Sequence, residues 1–176
     1  MERSAEIKDV VLYGRFGDLI EFSYPIGFSH WGMYEGDGHV VHFAVGDESE
    51  LQRRFRVHVL QKVFPSSGNI LLGQTMIRRE QLAQVPVPTG ARIKISNSSH
   101  DCTASAATDM RRRLYGLLGE VLEYNLLTLN CEHFATFVRY GVAVCNQIPL
   151  HKDKEQRSAT ALFQEIIAKK TVSTKF

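Results

Sequence analysis

The feature that most constrains this fold is an apolar segment, in the last third of the chain, whose two boundaries carry residues typical of helix ends. Asn130, a preferred N-cap residue, comes directly before it, and Gly141, a residue favoured just after a helix C-terminus, follows it. One face of the segment is apolar: Phe134, Ala135, Phe137 and Val138. The pattern predicts a buried helix that begins at Cys131.

Cys131 is expected to be reactive because it falls in the first turn of this helix. Backbone N–H groups and the helix dipole at an N-terminus favour an anion, so the position lowers a thiol pKa and favours the thiolate. We therefore expect rapid alkylation of Cys131 near neutral pH, abolished by Cys131→Ala. The first-turn N–H groups of Cys131 and Glu132 would help to hold an oxyanion.

A thiol nucleophile needs a base and a group that orients the base, and upstream histidines supply candidates. His30 can be the general base, and His42 can orient it through the other ring nitrogen. Spacing alone leaves alternatives open, since an isolated cysteine is commonly a buried structural residue. His133, in the first turn of the predicted helix, is expected to point to solvent or to cap the helix locally.

A zinc site is the other chemistry that these residue types permit. Its ligands would come from His30, His39, His42, Cys131 and His133. The chain has no C-x-x-C pair and no H-x-x-x-H helix pattern, which are the usual zinc-binding spacings. We therefore expect neither a metal nor a cofactor.

Length and charge favour a single domain that does not bind nucleic acid. The chain has 176 residues, and its 21 basic and 19 acidic residues give a net charge of only +2. Three cysteines and a polar N-terminus without a secretory signal predict a reducing, cytoplasmic compartment. No apolar run reaches the length of about 18 residues that a transmembrane helix needs, so we expect any membrane anchor to lie outside this chain.

Hydrophobic periodicity predicts a mixture of strands and helices. A three-stranded meander is expected from three consecutive segments: Leu19–Tyr24, His30–Glu35 and His39–Val45. Alternation predicts a further strand through Phe55, Val57, Val59 and Val63, a loop over residues 65–69, and a strand at Ala91–Ile95. Thr103–Glu123 is predicted to be a helix.

The C-terminal part is expected to be separate from the domain formed by residues 1–150. Residues 151–158 are strongly charged and are interpreted as a linker. An amphipathic helix is predicted after them from apolar residues at helical spacing: Ala159, Leu162, Phe163, Ile166 and Ile167. Docking of this helix onto the domain is favoured, and contact with a membrane surface or a partner is the alternative.

Three sequence blocks resemble the lecithin:retinol acyltransferase family, which includes the Ras-suppressor-like phospholipase A/acyltransferases. The first block is Gly17–Glu21, and the second runs from His30 to His42 with Trp31-Gly32 and Asp37-Gly38 inside it. The third is Asn130–Phe134, followed by Arg139-Tyr140-Gly141. The similarity covers about residues 16–145, and the histidine block precedes the cysteine block.

This resemblance implies an α+β, permuted papain-like (NlpC/P60-type) fold, in which an antiparallel sheet packs against the helix that carries the nucleophile. It implies that Cys131 attacks an ester of a phospholipid such as phosphatidylcholine and becomes an acyl thioester. Carried over by position, His30 matches the base and His42 the third polar residue. Water, the amine of phosphatidylethanolamine or retinol would then accept the acyl group, which makes a membrane surface an expected partner.

The sequence does not select one branch of this family. The His30 to His42 block is more similar to the phospholipase branch, whereas the long stretch between His42 and Cys131 is more similar to the retinol branch. A homodimer is worth testing because of that long stretch. Two other functions stay open: a papain-like thiol peptidase or amidase, and a non-catalytic binding protein with the same fold.

Overall fold

Residues 1–62, 70–148 and 152–174 are described by the computed structural model, and six antiparallel strands form its central sheet. The strands in chain order are β1 (Leu19–Ser23), β2 (Ser29–Gly36), β3 (His39–Phe43), β4 (Leu71–Gln81), β5 (Arg92–Ile95) and β6 (Val121–Asn125). Their order across the sheet is β5-β1-β2-β3-β4-β6. The predicted α+β class with an antiparallel sheet is confirmed.

Five α-helices accompany the sheet in the described ranges. They are α1 (Glu2–Tyr13), α2 (Glu48–Arg54), α3 (Ala107–Leu117), α4 (Cys131–Tyr140) and α5 (Lys152–Ser173). Helix α4 packs against β2 and β3, while α3 and α5 pack on α4. Every residue of α4 except Arg139 is buried, so this helix lies at the centre of the core.

The predicted meander is confirmed, and its register brings the two candidate histidines together. Gly32 on β2 is the cross-strand partner of His42 on β3, two residues along from His30. A Cβ atom at Gly32 would lie 2.5 Å from a Val40 methyl carbon and 3.3 Å from the His42 Cβ. A side chain at position 32 would therefore collide with Val40, so glycine lets β2 and β3 pair closely here. The His30 and His42 rings lie nearby with centroids 5.0 Å apart.

Both predicted ends of helix α4 are also confirmed. The Asn130 side chain accepts hydrogen bonds from the backbone N–H groups of Glu132 and His133. At the other end Gly141 adopts a left-handed conformation with φ of 81°, which residues with a Cβ atom rarely adopt. The Asn130 cap fixes where the helix begins, and hence where Cys131 lies, and Gly141 fixes where it ends.

Helix α5 docks on the domain through the predicted apolar stripe. Phe163 is fully buried, and its ring lies 5.1 Å from that of Phe137 and 6.3 Å from that of Phe134. The interpretation of residues 151–158 as a linker is wrong for the described part, because the helix begins at Lys152. Acidic side chains in its first turn favour this early start. The division of the chain at residue 150 stays a prediction.

Phe163→Ala is expected to lower the free energy of unfolding by about 3–5 kcal/mol, because it leaves a cavity between α5 and α4. Urea unfolding would measure the loss. Val172→Ala is the matched control, since Val172 lies on the same helix and is 61% exposed. Equal effects of the two substitutions would show that α5 contributes little to the core.

The predicted strand through Phe55, Val57 and Val59 is wrong, because the chain forms α2 and then a π-helical segment over Phe55–Leu60. Asp47 caps α2 by accepting from the Glu50 N–H. Only Leu51 and Phe55, four residues apart, are buried here, so the burial follows a helical period. Val63 and the predicted loop at 65–69 lie outside the described residues.

The helix predicted over Thr103–Glu123 is also shorter than expected. Helix α3 ends at Leu117, and Gly119 turns the chain with φ of 87°. The residues that follow form β6, which pairs with β4. Strand β4 was not predicted from the sequence. Without this pairing partner, residues 121–125 could not be recognised as a strand.

Candidate active site

Cys131 is placed against the strand that carries His30. Its side chain is fully buried, and its Sγ lies 4.0 Å from the Ser29 carbonyl oxygen. The Trp31 backbone N–H also donates a hydrogen bond to the sulfur. The thiol therefore contacts the backbone on both sides of His30.

A chain of hydrogen bonds runs from His30 through His42 to a carboxylate. The His30 Nε2 and His42 Nδ1 atoms are 2.8 Å apart, and the His42 Nε2 atom is 2.5 Å from a Glu80 oxygen. Since a carboxylate accepts, the His42 Nε2 atom carries hydrogen and the Nδ1 atom accepts from His30. Glu80, on β4, was not among the residues predicted from the sequence.

This tautomer leaves the His30 Nδ1 atom with a free lone pair. The atom is buried and has no hydrogen-bond partner among the described residues. Burial lowers the pKa of His30 well below its usual value, and the neighbouring charges of His42 and Arg78 lower it further. His30 is therefore neutral near pH 7 and able to accept a proton.

The expected low pKa of the Cys131 thiol is wrong for this structure. Burial raises the pKa of Cys131 to about 12, although hydrogen bonds from the Tyr124 hydroxyl and the Trp31 N–H act in the other direction. The negative charge of Glu132 raises it further. The sequence indicated that Cys131 lies at a helix N-terminus, but it did not indicate that the side chain is buried. The effect of desolvation on the thiol pKa outweighs that of the helix dipole here.

Tyr124 occupies the position at which an oxyanion was expected to bind. Its hydroxyl oxygen accepts from the Cys131 backbone N–H at 3.2 Å, and the hydroxyl donates to the Cys131 sulfur. The Glu132 N–H is bound to the Asn130 side chain at 3.0 Å. Both expected backbone donors thus have partners, and the hydroxyl of fully buried Tyr124 lies at this helix end beside Cys131.

Tyr24 and Glu48 form a hydrogen-bonded pair near the thiol, on the side of α2. The Tyr24 hydroxyl donates to a Glu48 oxygen at 2.7 Å, and the charges of Glu48 and Cys131 influence each other. Burial raises the pKa of Glu48 to about 7. Because no surface of Cys131 is exposed, a substrate can reach the sulfur only if covering residues move.

His133 caps helix α4 and does not point to solvent. It is 1% exposed, and its Nδ1 atom accepts from the Asn130 backbone N–H at 3.1 Å. The local capping predicted for it is confirmed, whereas the solvent-facing alternative is wrong. Its place in the capping box explains the burial, since the acceptor must reach back over the first turn.

The His133→Gln protein is expected to be less sensitive to acid than the wild type. Burial lowers the pKa of His133 to about 4, so the unfolded chain binds more protons below pH 6.5 and stability falls as the pH drops. Protonation of this histidine in the unfolded chain lowers the free energy of unfolding by about 2 kcal/mol between pH 7 and pH 5. Glutamine can still cap but does not titrate. Urea unfolding at both pH values measures the difference, and equal losses would contradict the pKa of His133.

The residues considered as zinc ligands do not form a metal site in the described part of the chain. No group of three or more histidine, cysteine or acidic side chains there could hold a metal ion. His133 uses its Nδ1 atom for the cap. His30 and His42 bind each other.

A comparison with known proteins identifies the family of this chain. The profile described as Lecithin retinol acyltransferase matches residues 13–144. The chain belongs to the lecithin retinol acyltransferase family. The match spans β1 to α4 and so includes Cys131, His30, His42 and Glu80.

Curated relatives of this lecithin retinol acyltransferase family member carry the name phospholipase A and acyltransferase. Human phospholipase A and acyltransferase 2 is 35% identical over 136 residues, which cover 76% of this chain and 75% of the relative. Human phospholipase A and acyltransferase 4 is 30% identical over 158 residues, covering 86% and 85%. Among the described helices none combines the length and apolar character needed to cross a bilayer.

Proposed function

We propose that the protein is a phospholipid-dependent thiol acyltransferase and phospholipase A. The observation that carries this proposal is the chain Glu80–His42–His30, which ends in an unpartnered nitrogen on the strand that Cys131 contacts. Relatives at 30–35% identity are named phospholipase A and acyltransferase, which supports a phospholipid as acyl donor. The acyl group is carried on the Cys131 sulfur.

In the first half-reaction the neutral thiol is deprotonated as it attacks. The His30 Nδ1 atom takes the S–H proton while Sγ forms a bond to the ester carbonyl carbon, and the carbonyl oxygen becomes an oxyanion. The imidazolium charge on His30 is stabilised through His42 by the Glu80 carboxylate. The intermediate then expels the lysophospholipid alkoxide, which takes the proton from His30, and the acyl thioester remains.

The second half-reaction reverses these proton movements. An acceptor hydroxyl or amine gives its proton to His30 as its oxygen or nitrogen attacks the thioester carbon. Collapse of the intermediate breaks the C–S bond, and the Cys131 thiolate takes the proton from His30. Water as acceptor gives a free fatty acid, the amine of phosphatidylethanolamine gives an N-acyl product, and retinol gives a retinyl ester.

The setting of this chemistry is also proposed. The permuted papain-like relation is supported by an antiparallel sheet that precedes the cysteine-bearing helix in the chain. The phospholipid substrate supports action at a membrane surface, from a peripheral position in the cytoplasm.

A homodimer stays a prediction, to be tested by light scattering. An experimental structure whose α4 and β1–β3 cannot be superimposed on a papain-like core would contradict the fold relation.

Intact-protein mass spectrometry with short-chain phosphatidylcholine tests the function directly. A mass increase of one acyl group in the wild type, absent from the Cys131→Ala protein, is the expected result. Released lysophospholipid should equal the sum of the adduct and the free fatty acid, because hydrolysis of the thioester allows further turnover. Neither an adduct nor any release of lysophospholipid or fatty acid would contradict the proposal and favour a peptidase or a non-catalytic binding protein.

A further inference from the structure

The segment after α4, Cys145–Gln147, contacts both the strand of the base and the helix of the nucleophile. Gln147 accounts for the first contact. Its side-chain oxygen accepts from the Ser29 backbone N–H at 2.8 Å, and its side-chain nitrogen donates to the Ser29 carbonyl at 2.8 Å. One amide group thus binds both polar backbone atoms of the residue that precedes His30.

This amide takes the place of a neighbouring strand. Strand β3 pairs with β2 only from Gly32 onward, so the backbone of Ser29 has no partner on β3. The same Ser29 carbonyl oxygen lies 4.0 Å from the Cys131 sulfur. The position of Gln147 therefore determines where the start of β2 lies relative to the thiol.

The two preceding residues bind helix α4 at the residue after the nucleophile. The Asn146 backbone N–H donates to a Glu132 oxygen at 3.0 Å, and the Cys145 thiol donates to the other oxygen at 3.2 Å. His100 completes the set with its Nε2 atom 2.8 Å from Glu132. Three donors surround this 1% exposed carboxylate, which holds segment 145–147 rigidly on α4.

We propose that Gln147 is a positioning residue, which sets the distance between the His30 imidazole and the Cys131 thiol by joining the start of β2 to the N-terminus of α4. This role rests on the proposed thiol acyl transfer. Reacting groups need placement within about 0.5 Å, and a displacement of 1 Å can cost about 100-fold in rate. Gln147 contacts neither the substrate nor the sulfur in this role.

The test compares Gln147→Met, which keeps side-chain length but removes the amide, with Ile148→Val. Ile148 is buried directly after this segment and has no side-chain polar atom to bind Ser29, so its substitution is expected to lower stability only. We expect the acylation rate at saturating short-chain phosphatidylcholine to fall about 10- to 100-fold in Gln147→Met, with an unchanged half-saturating concentration. Ile148→Val should keep the wild-type rate despite a lower melting temperature. A Gln147→Met rate equal to that of Ile148→Val would overturn the proposal.

A second measurement separates this proposal from the proposed function. Alkylation of Cys131 by iodoacetamide between pH 6 and pH 10 reports how far His30 assists the thiol, and it needs no acyl donor. If the wild type forms no acyl-enzyme, the function fails, but the alkylation profile of Gln147→Met should still shift from that of the wild type towards that of His30→Ala. A profile like that of the wild type would overturn the positioning role. Identical profiles of the wild type and His30→Ala would also overturn it, because His30 would then have no effect on the Cys131 thiol.

Discussion

His30→Ala is expected to lower the rate of acyl-enzyme formation by about 1,000-fold, because the thiol is almost entirely protonated and loses the base that takes its proton during attack. The pKa of Cys131 is about 12 in the resting structure, so the thiolate fraction at pH 7.5 is of order 10⁻⁴ to 10⁻⁵. A base that removes the proton during attack is then indispensable. Intact-protein mass spectrometry over time, with short-chain phosphatidylcholine as donor, gives the rate.

The control for this prediction is His39→Ala, on the same strand as His42 but outside the hydrogen-bonded chain. Its rate should equal that of the wild type. His42→Ala and Glu80→Gln should slow acylation less than His30→Ala does, because they orient the base and stabilise its charge without taking the proton. A fully active His30→Ala protein would refute the assigned base.

Tyr124→Phe is expected to lower the acylation rate at saturating phosphatidylcholine by about 100-fold, while the half-saturating concentration stays the same. The substitution removes only the hydroxyl that binds the Cys131 N–H at 3.2 Å and donates to the sulfur. In the proposed mechanism the carbonyl oxygen develops charge at this helix end, and loss of one donor to such a charge costs about 100- to 1,000-fold. The effect falls on the rate because the charge exists only in the transition state.

Tyr115→Phe provides the matched control for Tyr124→Phe. Its hydroxyl donates to Glu35 at the surface at 2.9 Å, outside the hydrogen-bonded chain of the site. Both proteins should keep the wild-type near-ultraviolet circular dichroism, since the rings remain. A Tyr124→Phe rate within about twofold of wild type would exclude the hydroxyl as an oxyanion donor.

The sequence predicts the site best where the signals are local. Asn130 and Gly141 mark the ends of α4 through capping preferences that act within one turn. Gly36 and Gly38 indicate the β2–β3 hairpin in the same way, but they leave its register open. Cys131, His30 and His42 were therefore selected through the family resemblance and not through local signals alone, and their catalytic roles stay predictions.

Residues that depend on distant pairing were not predictable in this way. Glu80 meets His42 only because β4 pairs with β3, with Val40 opposite Glu80, and no local pattern indicated that strand. Tyr124 directly follows residues predicted to be helical, whereas it lies in strand β6, so its place beside Cys131 was hidden. The pKa of the thiol depends on how deeply the whole fold buries it, and the position of Cys131 at a helix end does not indicate this burial.

The closed cover over Cys131 has a consequence for the lifetime of the protein. Peroxide oxidises cysteine through the thiolate and requires access to the sulfur. A thiol that is fully buried and kept protonated by a raised pKa offers little of either. We therefore expect peroxide to oxidise Cys131 slowly in the resting protein, and faster in any state in which the residues that cover the sulfur have moved.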